Sequence, residues 1–339
     1  MCQARTRSVF FAVLSMFLSF VSSISFDEGA EAFSENIQHW TREFPKTDFS
    51  KRLVKLSDIR SDGAVRDSIP SITGPQFISV AEVSGIGDLE PVISFKHGEE
   101  ARAYPLRIML WHEIVNDMVG GLPVVVTYCA LCNSGVIFER QIEGKEAVFG
   151  NTGRLRNFDM VMYDYATESW WQQFSGQAII GKKAGVHLKA LPSRVEALGH
   201  FRKRFPTGKI LIPNDPAERP YGTTPFVRMD SSAGVGLGNI LLPDEVKPFE
   251  RVVVIGEEAW TVKRLREKGT VVRDNLKITF FRGQNSIHDT KWIHFGRDVG
   301  NVIARRFDTK KQVWKDAVHD VTFAFAFAVF RPNGVLYTW

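Results

Sequence analysis

Cys129 and Cys132 are the residues of this chain whose type and spacing are best suited to chemistry. Two cysteines separated by two residues can close a small disulfide ring, and the thiolate form attacks disulfides or peroxides. The same two sulfurs can hold a soft metal ion. The chain has three cysteines, and Cys2 falls in a segment built like a cleavable leader, so a mature chain would carry this pair alone. Both flanks read as strands, an apolar β-branched run over 123–128 and a second β-type run over 135–140. Asn133, Ser134 and Gly135 supply turn chemistry between them. In thioredoxin-like proteins such a pair opens a helix, whose N-terminus lowers the thiol pKa. A β run after Cys132 removes that stabiliser, so His112 or Arg140 would have to take its place.

Three readings follow. In the leading one the chain is a thiol-based oxidoreductase acting on a thiol, disulfide or peroxide substrate and requiring no cofactor. Cys129 and Cys132 are nucleophile and resolving thiol, His112 is the acid/base, and Arg140 stabilises the thiolate. In the second, Cys129, Cys132 and His112 bind copper or zinc, with Met160 or Met162 completing the set. Two thiolates, an imidazole and a thioether suit Cu(I) better than Zn. In the third, the pair is an inert disulfide in a non-catalytic scaffold, although so short a loop gains little entropic stabilisation.

The elements that must position these groups can also be read. Residues 106–119 carry apolar side chains at Leu106, Met109, Leu110, Val115 and Met118, the spacing of a helix, ended by Gly120 and Gly121. On that helix His112 and Asn116 share a face one turn apart. Asn116, Arg154, Asp159, Tyr163 and Trp171 are candidate substrate-binding residues, most of them on a polar run around a strand over 158–163. A second helix is expected over 194–205. Further strands are expected over 77–80, 91–96, 101–104, 251–255, 270–272, 277–281, 302–307 and 321–330. The fold class is therefore mainly β with a few helices.

Composition sets the frame. At 339 residues, 44% hydrophobic and 24% charged, the chain can bury a large core, which excludes global disorder. A net charge of +5, with Lys and Arg scattered, argues against a nucleic-acid partner. Arg5 and Arg7, an apolar stretch over 9–21 and then Ser22, Ser23 and Ser25 form a signal peptide over residues 1–25, so an exported protein is expected. The membrane enters only if this leader stays uncleaved. Residues 26–67 are an N-terminal extension, 68–212 a β-rich unit with the cysteines, 213–250 a loop or linker, and 251–339 a second β-rich unit. The second unit echoes the first: Gly98-Glu99-Glu100-Ala101 recurs at 256–259, Val115-Asn116-Asp117 resembles 272–274, and 136–140 resembles 302–306. Such echoes imply a worn internal duplication.

The runs EARAYPL (100–106), WHEIVND (111–117), TYCALCNS (127–134), 162–181 and AFAFAVFRP (324–332) together resemble the domain-of-unknown-function 3179 family, over roughly 68–332. Its members are bacterial and archaeal, often exported, and some are described as selenoproteins. The resemblance implies redox chemistry at the cysteine turn, because the low pKa and nucleophilicity of selenocysteine are useful there. Family members usually have Pro where Ala130 stands, so this chain's turn is less rigid.

Overall fold

The run from Leu122 to Cys129 is apolar without alternation, and such a strand has to be covered on both faces. In the computed structural model, which describes residues 37–61, 64–232 and 240–338, Leu122–Cys129 and Ser134–Glu139 are buried along nearly their whole length. The expected signal peptide lies outside the described residues, and among those described no helix is long and apolar enough to cross a membrane. Strands hold 41% of the residues and helices 15%, so the fold is mainly β, with five sheets of four or five strands in a propeller-like arrangement.

The sheet carrying the cysteines runs, in spatial order, Lys189–Leu191, Ser134–Glu139, Leu122–Cys129, Ile114–Val119 and Ile72–Thr73. Beside it in sequence is a sheet of Arg194–Ala197, Pro91–His97, Glu100–Pro105, Lys209–Ile212 and Gln76–Ser79. A third is built from Ile59–Arg60, Phe149–Arg156, Asp159–Asp164, Trp170–Gln172 and Gln177–Ile180. The remaining two repeat the pairing of the first two. Asp320–Phe323, Arg251–Ile255, Glu258–Thr261 and Val335–Tyr337 pair antiparallel, antiparallel and parallel, as do Arg194–Ala197, Pro91–His97, Glu100–Pro105 and Lys209–Ile212. Thr270–Arg273, Leu276–Phe281, Asn301–Asp308 and Val313–Asp316 follow the order of the cysteine sheet. Gly98 and Gly256 both sit at positive φ in equivalent hairpin turns. The resemblance of 115–117 to 272–274 is not a structural one: Asp117 is in mid-strand and Asp274 is in a turn.

Three expected elements change. The helix ends at His112, because Glu113 takes φ 58°, and Ile114–Val119 is a strand paired with Leu122–Cys129. Its β-branched Ile114 and Val115 favour that outcome. Asn116 is therefore not a turn of helix away from His112. Residues 194–205 and 321–330 likewise split into a strand followed at once by a seven-residue helix, Leu198–Arg204 and Ala324–Phe330. The described part of 213–250 has no strand and one 3-10 turn, Met229–Ser231.

The cysteine turn is fastened to the far half of the chain. Cys132 O accepts from Phe323 N (2.9 Å) and Thr322 Oγ1 (2.6 Å), and Asn133 Nδ2 donates to Val321 O (2.7 Å). The Ala130 carbonyl contacts His288 Nε2 at 2.7 Å. Burial, with Arg251 beside it, holds the His288 imidazole down at about 3, so the ring is neutral, donates from Nε2 and accepts at Nδ1 from Arg251 Nη2 (3.3 Å). A histidine whose folded pKa lies below its unfolded value of about 6.5 gives its full stabilisation above that pH and loses it on acidification, by up to about 1.4 kcal/mol per pH unit. Unfolding free energies measured from neutral pH downwards should therefore fall more steeply for this chain than for His288→Gln. Parallel profiles would show that His288 is not held neutral.

Candidate functional site

Two hairpins converge to build the site. In the first, Tyr128 pairs with Gly135 and Cys129 with Ser134, leaving 130–133 as a tight turn with Asn133 at φ 53°. Tyr128 Oη donates to Asn133 Oδ1 (3.1 Å), fixing the side chain that reaches Val321. In the second, Arg156 pairs with Asp159 across Asn157 (φ 52°) and Phe158 (φ 62°). Two left-handed residues in succession match the strand twist, yet a bulky side chain pays about 1 kcal/mol or more to sit there. This turn aims the Phe158 carbonyl at both thiols, 3.7 Å from Cys129 Sγ and 3.4 Å from Cys132 Sγ.

Both cysteines are free and buried, and the pair sits 3.8 Å apart. A carboxylate oxygen of the fully buried Asp159 joins them, and these three ligand atoms lie within 4.8 Å of one another. Asp159 Oδ2 accepts from Gln172 Nε2 (2.6 Å) and Phe174 N (2.9 Å), and the carboxyl also interacts with the Cys129 thiol. Two further acids stand behind. Glu113 accepts from Asn151 Nδ2, which also contacts Met160 Sδ at 3.3 Å. Asp320 Oδ1 accepts from Gly135 N (3.0 Å), and the carboxyl also interacts with the Ser134 side chain.

Burial dominates the electrostatics. It raises the Cys129 thiol and pushes Cys132 well above the usual thiol range. It lifts Asp159 to about 7, Glu113 to about 8 and Asp320 to about 6. Each of these groups resists carrying charge in a low-dielectric cluster of like-signed neighbours. An incoming cation would reverse that preference.

Of the expected site residues, Cys129, Cys132 and Asp159 come together and the others do not. His112 is not beside the thiols: Nδ1 is 2.9 Å from Pro70 O and Nε2 is 2.7 Å from Tyr221 Oη, and burial lowers its pKa. Nor does Arg140 serve the thiolate, because Nε and Nη1 donate to Asp117 O (3.2 Å) and Ala147 O (3.0 Å). Asn116 clamps two sheets through both amide atoms, to Phe149 O (2.9 Å) and Phe149 N (2.8 Å). Arg154 pins the N-terminal segment through Ala64 O (3.0 Å) and Glu43. Tyr163 Oη donates to Asp67 Oδ2 (2.5 Å), and Trp171 Nε1 donates to Asp164 Oδ2 (3.0 Å). These four make hydrogen bonds that hold the fold together. Met160 and Met162 pack in the same apolar cluster as the cysteines, with the Met160 sulfur engaged by Asn151.

Sequence reasoning missed Glu113 as a site residue, as well as Asp320, His288 and the Phe158 carbonyl. Glu113 lies inside the WHEIVND run and could have been found there. Asp320 and His288 sit far along the chain with no local motif, so nothing in their surroundings marked them.

No curated protein and no solved structure matches the chain. The family model for DUF3179, described as a protein of unknown function, matches residues 66–334. With most of its length inside that match, the chain belongs to the DUF3179 family.

Proposed function

We propose that Cys129, Cys132 and Asp159 hold a transition-metal ion of the zinc class, making this a metal-binding protein. The supporting observation is the meeting of the Cys129/Cys132 pair, 3.8 Å apart, with a buried carboxylate, the three ligand atoms lying within 4.8 Å of one another. A tetrahedral ion bonded to two thiolates at about 2.3 Å holds them about 3.8 Å apart, whereas a disulfide needs about 2.05 Å. A carboxylate donor in place of His112 or a methionine moves the preference from Cu(I) towards Zn(II). With three protein donors, a fourth position is left for water or a substrate, the coordination that catalytic zinc sites share.

Thiol exchange is the second reading, favoured by two free and adjacent sulfurs. Raised thiol pKa values and the distance of His112 and Arg140 from the pair weigh against it, because the nucleophile is the thiolate. We also infer that the matching sheet pairs descend from a duplication, with the chemistry kept in the first copy. Aligning relatives over 91–212 and 251–338 tests this, and a lack of shared pattern between the two blocks would count against it.

Elemental analysis and thiol counting on one sample decide between metal and thiol exchange. About one equivalent of zinc is expected, with both thiols shielded from alkylation until a chelator is added, and with the metal lost in Cys129→Ser or Cys132→Ser. A protein that takes up no zinc in dialysis but cycles between dithiol and disulfide would overturn the metal reading. Gln172→Leu removes the amide that orients Asp159, and zinc affinity should fall about 10–100-fold. Unchanged affinity, with an intact melting transition in the metal-free protein, would remove Asp159 from the ligand set. Stripping the metal should also lower the melting temperature, since zinc at about a thousand times its Kd stabilises the fold by about 4 kcal/mol.

A further inference from the structure

A second charged site lies apart from the thiols. A cavity of 290 Å³ opens between the start of the strand Arg251–Ile255, the helix Val262–Lys268 and residues 297–299. Five cationic side chains line it, Lys247, Arg251, Lys263, Arg266 and Arg297, against three acidic ones, Asp230, Glu250 and Asp298. Two of the acids are already committed. Asp230 accepts from Arg251 Nη1 (2.7 Å), Arg297 Nη1 (2.7 Å) and Ser286 Oγ (2.8 Å). Asp298 accepts from the backbone N–H groups of Gly283 (2.9 Å), Gln284 (3.2 Å) and Gly300 (2.8 Å), with Arg266 Nη1 at 3.8 Å. Arg297 also reaches Asp289, at 3.2 Å.

Glu250 remains, facing Lys263 and Lys247 at longer range. Among the described residues neither ammonium has a carboxylate within ion-pair distance, 4.0 Å. The lining thus combines guanidiniums braced from behind by carboxylates with two unpaired ammoniums at the rim. Braced guanidiniums present their remaining N–H groups in fixed directions, the way proteins recognise phosphate and carboxylate oxygens. With Asp289 counted beside Arg297, five cationic groups face four acidic ones, and this positive balance favours an anion.

We propose that this cavity binds a small oxyanion of the phosphate class, either inorganic phosphate or the phosphate group of a small monoester. Arg297 and Arg251 form its inner wall, and Lys247 and Lys263 close its mouth. The site stands independently of the metal reading.

The test uses the full chain titrated with inorganic phosphate and, in a second arm, with glycerol phosphate, against sodium chloride at matched ionic strength. Binding is read by calorimetry and by the melting temperature. A saturable response is expected in at least one arm, about tenfold weaker or more in the double variant Lys247→Gln/Lys263→Gln, and unchanged in the remote control Lys310→Gln/Lys311→Gln. Both lysine pairs are exposed, so the melting temperature without ligand checks that each variant is folded. Tighter binding of glycerol phosphate assigns the site to monoesters; equal or weaker binding assigns it to the free ion. No response beyond that of chloride, or equal affinity in the double variant, would overturn the proposal.

Discussion

The turn between the two cysteines only partly satisfies its own backbone. Ala130 O and Cys132 O are buried acceptors, and a buried carbonyl left without a donor costs about 1–3 kcal/mol. Ala130 O accepts from Asn133 N within the turn (3.2 Å) and meets His288 Nε2 as well, whereas both donors to Cys132 O, from Thr322 and Phe323, come from the other half of the chain. Asn133 and Gly135 make the same crossing, to Val321 and Asp320. The position of the sulfurs is therefore a tertiary property, set only when both halves have folded and packed. Asp159 arrives from a third direction, on a hairpin whose left-handed Phe158 turns its carbonyl to the thiols. That corner closes the hairpin, and it also brings a backbone carbonyl to the sulfurs.

Much of the secondary structure was legible because the strands are strongly apolar and bounded by turn residues. Two of the failures share one cause. At Ala197/Leu198 and Phe323/Ala324, as at Pro105/Leu106 and Thr261/Val262, a strand passes into a helix with no loop between. One apolar run then serves two periods, and a window long enough to detect either averages over both. The seven-residue helices that result are two turns long, too short for caps or amphipathic stripes to announce them. The expected helix over 106–119 failed at its other end for a related reason: Glu113 adopts a left-handed conformation that its residue type does not advertise.

The site itself was half legible. Cys129 and Cys132 stood out by rarity and spacing, and Asp159 by the polar run it belongs to. His112 and Arg140 were attractive because their chemistry suits a thiolate, yet sequence proximity carried no information about where their side chains point. Their hydrogen-bonding capacity is spent on Pro70, Tyr221, Asp117 and Ala147. Asp320 and His288 do touch the site's turn, and only the packing of distant sheets brings them there. The wall of the phosphate-class cavity shares Arg251 with that packing, since the same guanidinium contacts Asp230 and His288.

The connection between Leu276–Phe281 and Asn301–Asp308 occupies the place in its sheet that the cysteine turn occupies in the other. There it is no tight bend but a long excursion that folds back and seats His288 on Ala130. Because both sulfurs are buried, a species reaching or leaving them needs the packing around this turn to open. Exchange at this centre would then be governed by an escape rate rather than by equilibrium affinity, and a species once captured would be retained long after its free concentration had fallen.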